Sequence, residues 1–201
     1  MTPPEVHDYL YQLGRHWTGR GLAMELGCWL GATSVPLLQG LVNAGYDKTF
    51  WAFDRWIAND EQISKAAKFG VTITKDQSTL DNYINNTIPI YNKVKTVKGD
   101  LPDTLQAFDK KPIEICIFDA PKSNPIFINS LRALEPYFIP NVTVLGLLDY
   151  HFWKSQKKRK RKIYYEPVKF IEQNPDTFEF LKDWPGLCSC AFFKYKTPIE
   201  W

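Results

Sequence analysis

The sequence predicts an α/β fold: a seven-stranded, mostly parallel, doubly wound sheet with an antiparallel C-terminal strand and helices on both faces. Three observations lead there. Short apolar segments rich in β-branched residues alternate with segments of helical spacing, the pattern of repeated strand–helix–strand units. The strand-like segments end in acids, at Glu25, Asp54, Asp119 and Asp149, and Asp100 lies just beyond another. Finally, Glu25-Leu26-Gly27-Cys28-Trp29-Leu30-Gly31 joins the first such segment to a helix start through two glycines.

Composition sets the frame. A chain of 201 residues with 44% hydrophobic and 15% aromatic content suits a single domain over 1–201 with a full core, and it is too apolar for a disordered chain. No apolar run reaches membrane-spanning length, and Met1-Thr2-Pro3-Pro4-Glu5 lacks the charged-then-apolar pattern of a secretory signal. Cys28 and Cys116 fall in apparent strands or turns, and Cys188-Ser189-Cys190 has the wrong spacing for a zinc knuckle. Reduced, structural cysteines in a cytoplasmic protein without a membrane partner are expected.

The elements follow in order. Residues 5–17 carry apolar positions 6, 9, 10, 13 and 17, a helical spacing. A strand covers 22–26. A helix from about Ser34, with Ser34 as N-cap and Pro36 in its first turn, stops at Ala44-Gly45. Residues 49–53 form a buried strand that ends in Asp54. Residues 55–92 read as a polar, irregular excursion with one helix near 60–69. Residues 93–97 alternate as a strand, Pro102-Asp103-Thr104-Leu105 opens a helix, and 113–118 suit a central parallel strand covered on both faces. A helix over 130–137, a strand over 142–148, a helix over 164–173 and closing strands at 177–181 and 187–195 complete the series.

The glycine turn has a chemical reading. Gly27 permits φ > 0 in a tight turn, and Gly31 lets a ligand approach the backbone with no Cβ in the way. The helix start beyond offers free N–H groups and a positive dipole end to an anionic group such as a carboxylate. Asp54, about two dozen residues further on, is placed to accept both hydroxyls of a ribose. Acids at the carboxyl ends of parallel strands share one rim, where open α/β sheets bind ligands.

Glu25-x-Gly27-x-x-x-Gly31 resembles motif I of the class I S-adenosylmethionine-dependent methyltransferases, a Rossmann-like fold, and differs from the dinucleotide pattern Gly-x-Gly-x-x-Gly. The resemblance implies S-adenosylmethionine as cofactor, held by Glu25, Gly27, Gly31, Asp54 and Asp100, with Asp100 receiving the adenine amino group. Phe118-Asp119-Ala120, Leu131-Arg132-Ala133-Leu134-Glu135-Pro136 and Leu148-Asp149-Tyr150 narrow the likeness to the macrocin-type sugar O-methyltransferases. Those enzymes place Asp-Ala-Asp after strand four and Asp-Asp-Tyr after strand five. Three of these acids hold magnesium, and the second Asp of the first motif is the base. By that resemblance Asp119 and Asp149 stand at metal-ligand positions. Leu148 replaces a ligand and Pro121 replaces the base, so the Mg2+ site that the likeness implies is a weakened one.

His151, two residues past Asp149, is the candidate replacement base, because imidazole titrates near neutrality. Asp119 is a second catalytic candidate that orients the acceptor; Lys122 and Tyr150 are weaker ones. The implied reaction is O-methylation of a sugar or another polar small molecule. Residues 154–162 hold seven basic residues among nine, and without them the net charge of +3 becomes −4. Read as a mobile loop preceded by Phe152 and Trp153, this run suits a phosphate-bearing acceptor or a nucleic acid. Two alternatives stand beside this reading. One is an RNA- or nucleotide-directed methyltransferase that uses 154–162, since Asp119-Ala120-Pro121-Lys122 is faintly similar to the Asp-x-Ala-Pro turn of ribose 2′-O-methyltransferases. The other is a catalytically silent binding module on the cofactor fold, favoured by the altered positions 121 and 148. The sequence carries no signal for oligomeric state.

Overall fold

The computed structural model describes residues 2–120 and 122–201. Seven strands form one sheet: β1 (Leu22–Leu26), β2 (Phe50–Asp54), β3 (Val94–Lys98), β4 (Ile113–Phe118), β5 (Val144–Leu147), β6 (Phe178–Asp183) and β7 (Ala191–Tyr195). Their order is β3-β2-β1-β4-β5-β7-β6. The first five strands pair in parallel, and β7 runs antiparallel to both of its neighbours. The predicted doubly wound sheet with its antiparallel C-terminal strand is therefore observed.

Alternation along each strand feeds two cores. Leu22, Met24 and Leu26 of β1 and Cys116 and Phe118 of β4 join Phe127, Leu131 and Ile171 on one face. Ala23, Ile115 and Ile117 point the other way, into a cluster with Val6, Leu10, Leu37, Leu41 and Tyr83. Strands buried on both faces need near-continuous apolar sequence, which is why β4 is legible at once. Within it Glu114 is buried, and its carboxylate accepts the backbone N–H groups of Thr18, Arg20 and Gly21. That contact ties the segment entering β1 to the start of β4.

The helices described are α1 (Pro4–Arg15), α2 (Ser34–Asn43), α3 (Asp60–Ala67), α4 (Leu80–Thr87), α5 (Asn124–Leu134) and α6 (Lys158–Glu172). The helices α1 and α2 touch backbone to backbone through glycines. A Cβ on Gly40 would lie 2.0 Å from the Tyr11 carbonyl oxygen, and one on Gly14 would lie 2.5 Å from that of Leu37.

Four expectations are corrected. Ser34 is the first helical residue, not the N-cap; Thr33 holds the cap position without a side-chain cap bond. The excursion after β2 contains a second helix, α4, whose Tyr83 and Thr87 are buried. The helix α5 begins six residues before 130, at Asn124, with a proline in its first turn. The basic run is not a loop: residues 152–155 form a 3-10 helix and Lys158 begins α6. Val168 and Ile171 anchor α6 in the core, and Arg161 caps the entry by donating from Nε to the Gln156 carbonyl at 2.9 Å.

Candidate functional site

The register levels the carboxyl ends of the central strands, with Leu26 opposite both Phe53 and Phe118, and Phe118 opposite Leu147. Strand order reverses between β1 and β4, the topological switch point where such sheets open a crevice. The glycine turn leaves β1 at this point. Gly27 has φ +97°, and a Cβ there would lie 2.4 Å from the Ala120 nitrogen. Its N–H donates to the Phe53 carbonyl at 2.7 Å. Gly31 has φ +88°, and a Cβ on it would press the Tyr83 ring at 3.3 Å. The helix α4, unforeseen in the sequence, braces the turn, because Asn86 Nδ2 donates to the Leu30 carbonyl at 2.9 Å.

Glu25 lies behind the turn, fully buried. Its two oxygens accept the hydroxyls of Thr33 and Ser34 at the start of α2. Burial pushes its carboxyl up to about 7, partly offset by those two hydroxyls. Glu25 thus fixes the turn and the helix start from within rather than facing the rim.

Asp54 is the hub of the crevice. Its Oδ2 accepts the Trp29 N–H at 2.9 Å, and its Oδ1 accepts the Trp56 N–H at 2.6 Å. The Trp56 indole returns a bond to the Trp29 carbonyl at 3.1 Å. Trp29 (φ +43°) and Trp56 (φ +45°) both adopt left-handed backbone, a strain that surrounding structure must hold in place. Neither tryptophan stands out in the sequence, although the signal was there in their flanking of Gly27 and Asp54. Each Asp54 oxygen keeps a second lone pair. Asp100 follows β3 on the same rim, exposed, with Arg55 Nε 3.4 Å away. Among the described residues the N–H groups of Ala32 and Thr33 have no protein acceptor, so the start of α2 presents donors to a carboxylate.

The second half of the site lies after β4 and β5. The N–H groups of Asp119 and Ala120 both donate to the Leu26 carbonyl at 2.8 Å. Burial and the neighbouring Asp149 hold the Asp119 carboxyl well above the usual carboxylate range. Lys122 Nζ stands 2.7 Å from Asp149 Oδ2. This is an ion pair without hydrogen-bond geometry, since that oxygen makes no hydrogen bond among the described residues. The Lys122 ammonium also faces the Phe152 ring at 5.1 Å. His151 takes a different partner: its Nε2 is 3.0 Å from Asp183 Oδ2 on β6. Pro121 lies outside the described residues.

On the outer side of the glycine turn, His7, Tyr11, Trp29, Phe69 and Val71 line a cleft of about 520 Å3. Gly31 and Ala32 of the turn line it too, whereas Asp54, Asp100, Asp119 and Asp149 do not.

A family model described as a methyltransferase domain matches residues 24–146, which run from β1 through β5 and include the turn, Asp54, Asp100 and Asp119. The chain belongs to this methyltransferase family. It is an enzyme of the class I S-adenosylmethionine-dependent type. None of the curated proteins matches the sequence. The fold of this methyltransferase is similar to that of the O-methyltransferase NovP, at TM-score 0.66 and 15% identity over 95% of this chain and 79% of that one. It is similar also to CalS11, a TDP-rhamnose 3′-O-methyltransferase of calicheamicin biosynthesis, at TM-score 0.55 and 16% identity over 94% and 76%. The SAH-bound Podospora anserina methyltransferase PaMTH1 matches at TM-score 0.60 and 11% identity over 98% and 80%.

The residues present fit the cofactor of this methyltransferase through free N–H groups at a helix start and a held carboxylate at the end of β2. The space a Cβ would take at Gly27 and Gly31 is filled by Ala120 and Tyr83, not left open for a ligand as the sequence suggests for Gly31. They do not fit a magnesium ion. Magnesium takes about six oxygen ligands, and among the described residues no three His, Cys, Asp or Glu side chains converge. Leu148, beside Asp149, is buried and offers no oxygen, and an ammonium already engages Asp149. No helix described is long and apolar enough to cross a membrane.

Proposed function

We propose that this methyltransferase methylates a hydroxyl oxygen of a sugar or another polar small molecule, with S-adenosylmethionine as donor. The observation that carries the reading is the Asp54 carboxylate, fixed by the N–H groups of Trp29 and Trp56 at the switch point beside Gly27. Its free lone pairs accept two vicinal ribose hydroxyls, and Asp100 receives the adenine amino group. The N–H groups of Ala32 and Thr33 take the carboxylate of the methionine portion, while Glu25 holds that helix start in place. The bound cofactor supplies an electrophilic methyl group on a sulfonium.

Asp119 acts as the base. With the cofactor bound, the Asp119 carboxylate would take the hydroxyl proton of the acceptor as its oxygen bonds to the methyl carbon and the methyl–sulfur bond breaks, with neutral S-adenosylhomocysteine as the leaving group. A carboxylate whose proton affinity is raised by burial is a stronger base than a solvated one. His151 is committed to Asp183 and serves to position the segment after β5. We read the basic start of α6, which follows Phe152 in the chain, as suited to an acceptor that bears an anionic group such as phosphate. The similar CalS11 acts on a sugar nucleotide, which is in keeping with that chemistry.

The test is transfer of a labelled methyl group to a panel of free sugars, sugar nucleotides and polar phenols, preceded by calorimetric titration with S-adenosylhomocysteine. A labelled O-methyl product is expected. Failure of the titration overturns the cofactor reading, and label on RNA alone overturns the acceptor.

A further inference from the structure

We propose that the Lys122 ammonium, paired with Asp149 near Asp119, takes the place of a divalent cation, so that a fixed charge of the protein, not a metal, holds the acceptor oxygen. The inference rests on the methyltransferase reading above. Two acids that follow adjacent parallel strands lie together here, and their mutual repulsion is relieved by a shared proton or by a nearby cation. The chain supplies one. Lys122 lies three residues past Asp119, and its Nζ reaches Asp149 Oδ2 at 2.7 Å. The Phe152 ring covers another side of it at 5.1 Å, an arrangement that favours a cation. Leu148 has meanwhile removed an oxygen that a metal would need.

The consequences are chemical. An ammonium has three donors; the contact with Asp149 Oδ2 is an ion pair, not a hydrogen bond, so donors remain for an acceptor, and the Lys122 side chain is 38% exposed. An N–H donated to the acceptor oxygen stabilises the negative charge that grows there as Asp119 takes the proton. A divalent ion entering the same position would meet the ammonium head-on and find only part of its ligand shell.

Manganese titration read by the EPR signal of free Mn2+ tests this, on protein saturated with S-adenosylhomocysteine. Saturation is verified first by calorimetry, so a failure of the cofactor reading appears before any metal is added. The wild type is expected to leave millimolar Mn2+ free. Lys122→Ala is expected to gain a binding site, lost again when Asp149→Asn is added, whereas Lys122→Arg stays silent. Lys122→Met, which keeps apolar contact with Phe152, is measured in parallel, with unfolding midpoints to verify that each variant is folded. Mn2+ binding by the wild type, or no gain in either uncharged variant, overturns the proposal.

Discussion

The backbone N–H of Trp29 donates to Asp54 Oδ2 at 2.9 Å, so the turn after β1 and the end of β2 are one unit. The acid proposed to meet the ribose is thus also tied to the left-handed backbone of the loop beside it. Removing it therefore does more than delete one ligand contact.

Asp54→Ala is expected to weaken binding of S-adenosylhomocysteine by about tenfold to a hundredfold. Hydrogen bonds to a charged group contribute roughly 1.5–3 kcal/mol, and two backbone donors are stranded as well. Calorimetric titration measures the loss, and Asp54→Asn, which keeps one acceptor oxygen, should fall between the two.

Gly27→Ala combines positive φ with a Cβ 2.4 Å from the Ala120 nitrogen. Left-handed backbone alone costs about 1–2 kcal/mol, and the clash with main chain adds to it. Urea unfolding should show a destabilisation of at least about 2 kcal/mol, with cofactor binding lost. Wild-type stability in this variant would contradict the turn geometry.

Glu25 gives a pH signature. Its folded pKa of about 7 stands above its ordinary value of 4.5, so folding favours the protonated carboxyl. That contribution is complete below the unfolded value and disappears as pH rises through the folded one. Between these limits the wild type should lose roughly 3 kcal/mol of stability from this residue, an order-of-magnitude figure. Glu25→Gln should flatten that slope in urea unfolding measured across the same window.

Asp119→Asn separates chemistry from binding. Methyl transfer to an accepted substrate should fall by about a hundredfold or more, while the affinity for S-adenosylhomocysteine stays within about twofold of wild type, as expected for a group outside the cofactor contacts. Parallel losses in both would place Asp119 with the cofactor instead.

Thiol labelling checks the core. Cys28, Cys116 and Cys190 are buried and Cys188 is only partly so. Burial raises the thiols of the three buried ones, which slows attack by the thiolate. In the native protein Cys188 should react with a maleimide well before the others, and mass spectrometry of the labelled peptides identifies it.

The sheet was legible because its signal is local. Ile113 to Phe118 is apolar on both faces, and the acids at strand ends mark where each strand leaves the core. The start of α6 was hidden because Lys158 to Lys162 has no buried face of its own; its helicity is anchored by the later turns, where Val168 and Ile171 pack. The helix α4 escaped for a similar reason, since two buried residues in eight give a weak periodicity. At the site, the glycines and Asp54 are readable as chain geometry. The pairing of Lys122 with Asp149 is tertiary, made across the ends of two strands, and no spacing announces it.

The glycine contact between α1 and α2 has a reach beyond packing. Gly40 lies toward the far end of α2, the helix that follows Ala32 and Thr33, the donors proposed for the cofactor carboxylate, and it has no room for a methyl group against Tyr11. A side chain there must lever α2 away from α1, and a rigid rod levered at one end moves at the other. The helix α1 thus works as a gauge block, setting from a distance the height of the donors proposed for the cofactor.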